Sequence, residues 1–122
     1  MKKLAVLAIA SAVVLTGCSA TPYRKGYGDV QVSPTSFQIR TRVNGFSPRS
    51  RAEDIAMLRA AEIACFGEFD SFDIVEKSLL ADDSITNAFM TVEYKHGTGQ
   101  FDAKFLIGVM EKKLNAESAC HY

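Results

Sequence analysis

The sequence has no apolar run long enough to cross a bilayer, no surplus of basic charge, no internal repeat and only two histidines in 122 residues. Each absence excludes something. A membrane-spanning helix needs ~20 apolar residues, and the longest stretch here, residues 4–14, is about half that. Fourteen basic residues against fourteen acidic ones argue against nucleic acid and against a polybasic lipid-binding surface. His96 stands in a Gly-rich turn and His121 beside the C-terminus. No Ser-His-Asp signature is visible, and Cys120-His121 has no further ligands at metal-site spacing. The reading is therefore not an enzyme, with no metal.

What is present is concentrated at the N-terminus. Met1-Lys2-Lys3 is a cationic start, residues 4–14 are an apolar h-region, and Leu15-Thr16-Gly17-Cys18 closes the segment. That tetrapeptide fits a lipobox: small residues let an extended backbone enter a protease cleft, and the Cys18 thiolate is the nucleophile for diacylglycerol transfer. The expectation is cleavage by signal peptidase II between Gly17 and Cys18, with N-acyl diacylglycerol, palmitate included, carried covalently on Cys18 and no other cofactor. Several acyl chains, at ~0.8 kcal/mol per buried methylene, anchor a protein stably where one does not. Ser19 rather than Asp after the cysteine favours the periplasmic face of the outer membrane of a Gram-negative cell.

Without residues 1–17, 12 basic side chains face 14 acidic ones, a net charge of −2. The remaining 105 residues make one small domain that buries roughly two-thirds of its unfolded surface. Residues 18–29, broken by Pro22, Gly26 and Gly28, read as the lipidated cysteine and a tether spanning ~35 Å when extended. Residues 30–122 read as a single periplasmic domain. With Cys18 acylated, Cys65 and Cys120 remain, and an oxidising compartment favours a bridge. Across about 55 residues such a bridge adds at most roughly 4 kcal/mol. The alternative is a buried Cys65 and a loose Cys120.

Phe37, Ile39 and Val43 alternate with Gln38, Arg40 and Arg42, as in an antiparallel strand covered on one face. After the Asn44-Gly45 turn, Ser47 is placed to cap a helix with Pro48 at its first position, the helix running over 48–66 and stopping at Gly67. Ile55, Leu58, Ile63, Cys65 and Phe66 form one apolar face. Met57, Ala60, Ala61 and Ala64 make the opposite side almost as apolar, so the helix is predicted to be covered on more than one side. The chain's own tether and tail, or a docked partner, are the two ways to cover it. Further strands are predicted at 70–78, with Phe72 and Ile74 inward, and at 88–95. Residues 101–114 alternate like a strand, but Asp102 as N-cap with Phe105, Leu106, Val109, Met110 and Leu114 also makes an amphipathic helix. Helix over 103–114 is the choice, against the presence of Gly108. The fold class is α+β: a two-layer sandwich with a small antiparallel sheet (36–43, 70–78, 88–95) under the helices 48–66 and 103–114.

Gly26-Tyr27-Gly28-Asp29, Asn44-Gly45-Phe46-Ser47, Arg51-Ala52-Glu53-Asp54 and Leu58-Arg59-Ala60-Ala61-Glu62-Ile63 together resemble a family of small proteobacterial lipoproteins of uncharacterised function. That family shows a lipobox, a G-Y-x-D tether, an N-G-[YF]-[TS] turn and an R-A-E-D-x-x-[LM]-L-R-A-A-E helix. The likeness covers residues 26–76. Gly28 replaces the expected Ser, Ser50 replaces the Glu of a capping box, and Cys65 and Cys120 lie outside the pattern. The resemblance implies lipidation, an envelope location and a shared fold, and no activity.

Arg51, Asp54, Arg59 and Glu62 stand at three- and four-residue spacings suited to ion pairs on the main helix, with Arg59 and Glu62 meeting the sheet or the tether. The functional expectation is a non-catalytic envelope protein that binds another envelope component. The alternative is a small-ligand or lipid-binding module whose eight phenylalanines and four methionines line a cavity between sheet and helices. No nucleic-acid partner is expected.

Overall fold

The alternation in residues 36–44 builds the middle of the sheet. In the computed structural model, which describes residues 20–120, strand β2 (Ser36–Asn44) buries Ile39, Thr41 and Val43 and turns Arg40 and Arg42 to solvent. Strand β4 (Ile85–Lys95) alternates more fully, burying Thr86, Ala88, Met90, Val92 and Tyr94. β1 (Tyr27–Ser33), β3 (Ser71–Ala81) and the two-residue β5 (Phe101–Asp102) complete a five-stranded sheet of order β1-β2-β4-β3-β5. Every neighbouring pair is antiparallel. Helix α1 (Arg49–Phe66) crosses from β2 to β3, and β4 fits between those two strands. Helix α2 (Ala103–Leu114) follows β5.

α1 packs on β2, β4 and β3 of the sheet and also along α2. Ala103 N–H donates to the Asp70 carbonyl just after α1, and Lys113 reaches Asp54 in the first half of α1, so the two helices run in opposite directions. This explains a helix without a polar face. Ile55 and Leu58 are sealed, and so are Ala60, Ala61 and Ala64. Coverage comes from the chain itself. The small residues let neighbouring backbone approach closely, and no alanine ridge is left open for a partner.

The architecture is the expected α+β sheet under two helices, with corrections in detail. The tether does not extend to Asp29. Thr21 is already hydrogen-bonded into the domain, Tyr23–Lys25 form a 3₁₀ turn with Tyr23 buried, and β1 starts at Tyr27. Ser47 does not cap α1. Pro48 holds the N-cap position without a side-chain bond, and the Ser47 hydroxyl instead accepts from Thr21 N–H at 3.0 Å and meets Asn44 Oδ1. Gly67 ends the helix, but the left-handed residue is Glu68, φ 60°, with Gly67 at φ −87°. Phe66 is exposed rather than part of the apolar face. Residues 101–114 divide between the two readings: two residues of strand, then a helix whose N-cap Asp102 accepts from Phe105 N–H at 2.9 Å. Exposed Gly108 has open space beside it, so a missing side chain there leaves no hole.

β3 is longer than expected and changes character midway. Phe72 is buried and Ile74 half-buried, the register with β4 shifts between Ile74 and Glu76, and Val75 onward is exposed. Its outer edge carries β5 only at Ser71 and Phe72. Gln100 covers the next position by accepting from Ile74 N–H at 2.9 Å. Beyond that, no strand among the described residues pairs with this edge.

Candidate functional site

A polar cluster sits where α1 meets β1 and the C-terminal tail. Glu62, on α1, is fully buried, and a buried carboxylate persists only when charge and hydrogen bonds compensate its lost hydration. Three donors do so. The Tyr23 hydroxyl donates to Glu62 Oε1, Arg59 Nη1 lies 3.3 Å from the same oxygen, and Ala119 N–H donates to Oε2 at 2.6 Å. Arg59 is shared: its Nε donates to Asp29 Oδ1 of β1 at 2.7 Å, and its guanidinium lies 4.8 Å from the centre of the Tyr27 ring. The Tyr23 and Tyr27 rings are 5.1 Å apart.

The electrostatics follow. Burial pushes the Tyr23 hydroxyl far above its ordinary 10, and the Glu62 hydrogen bond and charge add to this, so Tyr23 stays a donor. Burial works against the Arg59 charge, but the hydrogen bond to Asp29 and its negative charge more than offset it and raise the guanidinium further. The cluster is a clasp joining the N-terminal segment, the main helix and the tail, with its polar atoms engaged by one another.

Two further attachments flank it. Cys65, near the end of α1, is bonded to Cys120, with Cα atoms 6.2 Å apart, inside the ordinary range of about 4.4–6.8 Å. At the opposite end of α1, Thr21 is held three times: its N–H donates to Ser47 Oγ (3.0 Å), its Oγ1 accepts from Asn44 N–H (2.9 Å) and its carbonyl accepts from Arg51 Nε (2.8 Å).

The structure therefore brings Arg59 and Glu62 together and separates the other two charges expected to pair along the helix. Arg51 serves the Thr21 backbone, and Asp54 pairs with Lys113 of α2 at 3.1 Å. A three-residue spacing permits the Arg51–Asp54 bond, but each finds a partner on another element. Sequence reasoning missed Tyr23, Asp29 and Thr21. The available signal was Glu62 beside an apolar face, which requires buried donors from elsewhere in the chain. Gly17, Cys18 and His121 lie outside the described residues. His96 packs on Phe69, ring centres 5.0 Å apart. Among the described residues, no group of three or more His, Cys, Asp or Glu side chains is placed to hold a metal, and no helix is long and apolar enough to cross a membrane.

Clefts open at the surface. One of about 340 Å³ is lined by Lys25, Arg40, Arg42 and Phe89, with Arg40 5.9 Å from the Phe89 ring centre. Another, of about 290 Å³, lies beside the clasp between Phe37, Ile63, Phe66 and Phe69. Comparison with known proteins gave no matching family model, no matching curated protein and no matching solved structure.

Proposed function

We propose that this chain is a lipid-anchored envelope protein, cut before Cys18 and acylated there, whose domain holds another envelope component at the outer membrane without catalysing a reaction. The observation that carries this reading is one of position. The lipobox cysteine stands three residues before Thr21, the first side chain fastened into the domain. A protease needs extended, accessible chain at the cleavage point, and among the described residues side-chain attachment to the domain is already present at Thr21. The Cys65–Cys120 bond suits the same oxidising compartment.

With the alanine ridge buried, the free edge of β3 is the surface that favours partner binding. Val75, Leu79 and Leu80 are exposed on it, and an open apolar edge strand is a template for an added strand. The ligand-binding alternative draws its support from the cleft where Phe37, Ile63, Phe66 and Phe69 meet Asp29, Gln31 and Arg59. That cleft is at the small end of ligand sites, which span roughly 300–1,000 Å³.

Two measurements test the proposal. Cells fed an alkyne fatty acid label the wild-type protein and leave Cys18→Ala unlabelled; label on both chains, or on neither, rejects the anchor. In-cell crosslinking of a C-terminally tagged protein then captures a near-stoichiometric partner that Cys18→Ala loses. Absence of any specific partner moves the weight to the ligand-binding alternative, for which a retained mass in native mass spectrometry is the sign.

A further inference from the structure

The end of the domain that grips Thr21 also carries its most exposed large apolar side chain. Phe46, 72% exposed, sits in the turn between β2 and α1. The same turn supplies Asn44 N–H and Ser47 Oγ to Thr21, so Phe46 and Thr21 are fixed relative to each other. Three residues from Thr21 to Cys18 reach at most about 11 Å when fully extended. A tether reaching to Asp29 would let the domain stand off its membrane; with residues 21–29 folded, that freedom is gone. If Cys18 is acylated, its Cα lies at the bilayer surface, and the turn carrying Phe46 must lie against that surface.

The charges of this end suit it. Arg24, Lys25 and Arg42 surround the 3₁₀ turn and the end of β2, and Arg49 opens α1. The carboxylates at this end are Asp82 and Asp83, whose loop backs onto Gly45, Glu117, whose carbonyl accepts from Arg24, and Glu53 and Asp54 of α1, which pair with Lys77 and Lys113. Asp82 is occupied by the amides of Ser84 and Ile85. The acidic excess lies elsewhere: Asp29, Glu62, Glu68, Asp70 and Asp73 belong to the other end of α1 and its adjoining strands. The overall charge of the chain thus conceals a basic end, and that end is the one from which the anchor leaves. A bare aromatic among cations is the side-chain chemistry of a membrane-interface contact.

We propose that the Phe46 turn docks on the anionic lipid bilayer that holds the anchor, with Phe46 inserted at the acyl boundary and Arg24, Arg42 and Arg49 over lipid phosphates, so that the domain stands in one orientation. This rests on the lipidation reading above. The β1–β2 turn and the exposed residues Phe66 and Phe105 then lie toward the other end, away from the lipid, while Leu80 and Ala81 of the β3 edge lie at the docked end, level through β4 with Arg42 and Val43.

The chain contains no tryptophan, which makes the test direct. Mature lipidated protein carrying Phe46→Trp, or Phe105→Trp as control (Phe105 is 68% exposed on α2), is placed in vesicles of phosphatidylethanolamine and phosphatidylglycerol with brominated acyl chains. Flotation of the vesicles and the intact mass of the protein report the anchor independently. The expected result is a blue-shifted, bromine-quenched emission from Phe46→Trp and an unshifted, unquenched one from Phe105→Trp. Protein that floats and carries its acyl chains but shows no quenching at position 46, or equal quenching at both positions, overturns the docked orientation while leaving the anchor intact. Protein that lacks acyl mass and does not float overturns both.

Discussion

The hydroxyl of Tyr23 donates to the carboxylate of Glu62 from 39 residues away, with Tyr23 3% and Glu62 0% exposed. The bond ties the 3₁₀ turn before β1 to the C-terminal part of the main helix. Removing the hydroxyl leaves a buried carboxylate with one donor fewer, and a hydrogen bond to a charged group contributes about 1.5–3 kcal/mol. Tyr23→Phe is therefore expected to lower unfolding stability by that amount in urea titrations, with an unchanged far-UV spectrum. A loss below about 0.5 kcal/mol, the level of an ordinary surface change, would show that water replaces the hydroxyl and that the clasp is not sealed.

Ala60→Glu and Ala64→Glu are expected to unfold the domain. Both alanines are fully buried between elements of the same chain, and an unpaired charge there costs several kcal/mol, a large part of the 5–15 kcal/mol that holds a domain together. Loss of the cooperative thermal transition in the purified variants checks this. Folded variants that had lost only a binding partner would return the ridge to the surface.

How much of this was legible depends on where polar residues point. β2 and β4 were readable because their inward positions are apolar: Ile39, Val43, Met90 and Val92. β1 was not, because its pattern is inverted. Val30 and Val32 face solvent, while Asp29 pairs with Ile39 in register and faces Arg59. An inward carboxylate satisfied by a distant guanidinium leaves no hydrophobic period. Tyr23 was hidden in the same way, between Pro22 and Gly26 in a stretch with the composition of a linker. Glu62 and Arg59 were recognised as a pair beside the apolar face, but their third and fourth partners come from elements that local spacing cannot reach.

The Cys65–Cys120 bond closes a loop of 55 residues, for which the chain-entropy model gives about 4 kcal/mol. It also holds the tail whose Ala119 N–H reaches Glu62. Reduction, or Cys120→Ser, is expected to lower the thermal midpoint by more than Tyr23→Phe does, because it releases the tail and removes one donor from Glu62 together. A midpoint insensitive to reductant, with two free thiols titrating in the native protein, would reject the bridge.

Acid sensitivity has a definite sign. Lys95 and the Gln100 amide hold Asp73 below its ordinary 3.8, the Ser84 and Ile85 amides do the same for Asp82, and the Ser36 and Thr35 hydroxyls hold Glu93 below its ordinary 4.5. Each depressed value means that the unfolded chain takes up protons first as pH falls. The stabilisation is then complete above the ordinary values and is lost as pH falls through the folded ones. Urea midpoints are expected to be flat from about pH 7 to 5 and to drop steadily below about pH 4. A midpoint that rises on acidification in that range contradicts these three assignments.

The free edge of β3 gives the last expectation. Charged residues and proline are what sheets use to keep edges from pairing, and the stretch from Val75 to Ala81 has Glu76 and Lys77 at one end but only Ser78, Leu79, Leu80 and Ala81 at the other. Lys77 is further engaged by Glu53 at 2.9 Å, which draws it toward α1 and leaves the apolar half bare. Leu80 is exposed and pairs in register with Asn87 of β4, so a change there removes no core packing. Leu80→Lys should leave the unfolding midpoint within about 0.5 kcal/mol of wild type and abolish the crosslinked partner, since an added strand would have to bury the new charge. If the variant retains the partner at wild-type yield, the partner does not add to this edge, and the surface around the cleft at Phe37 and Phe66 becomes the place where it binds.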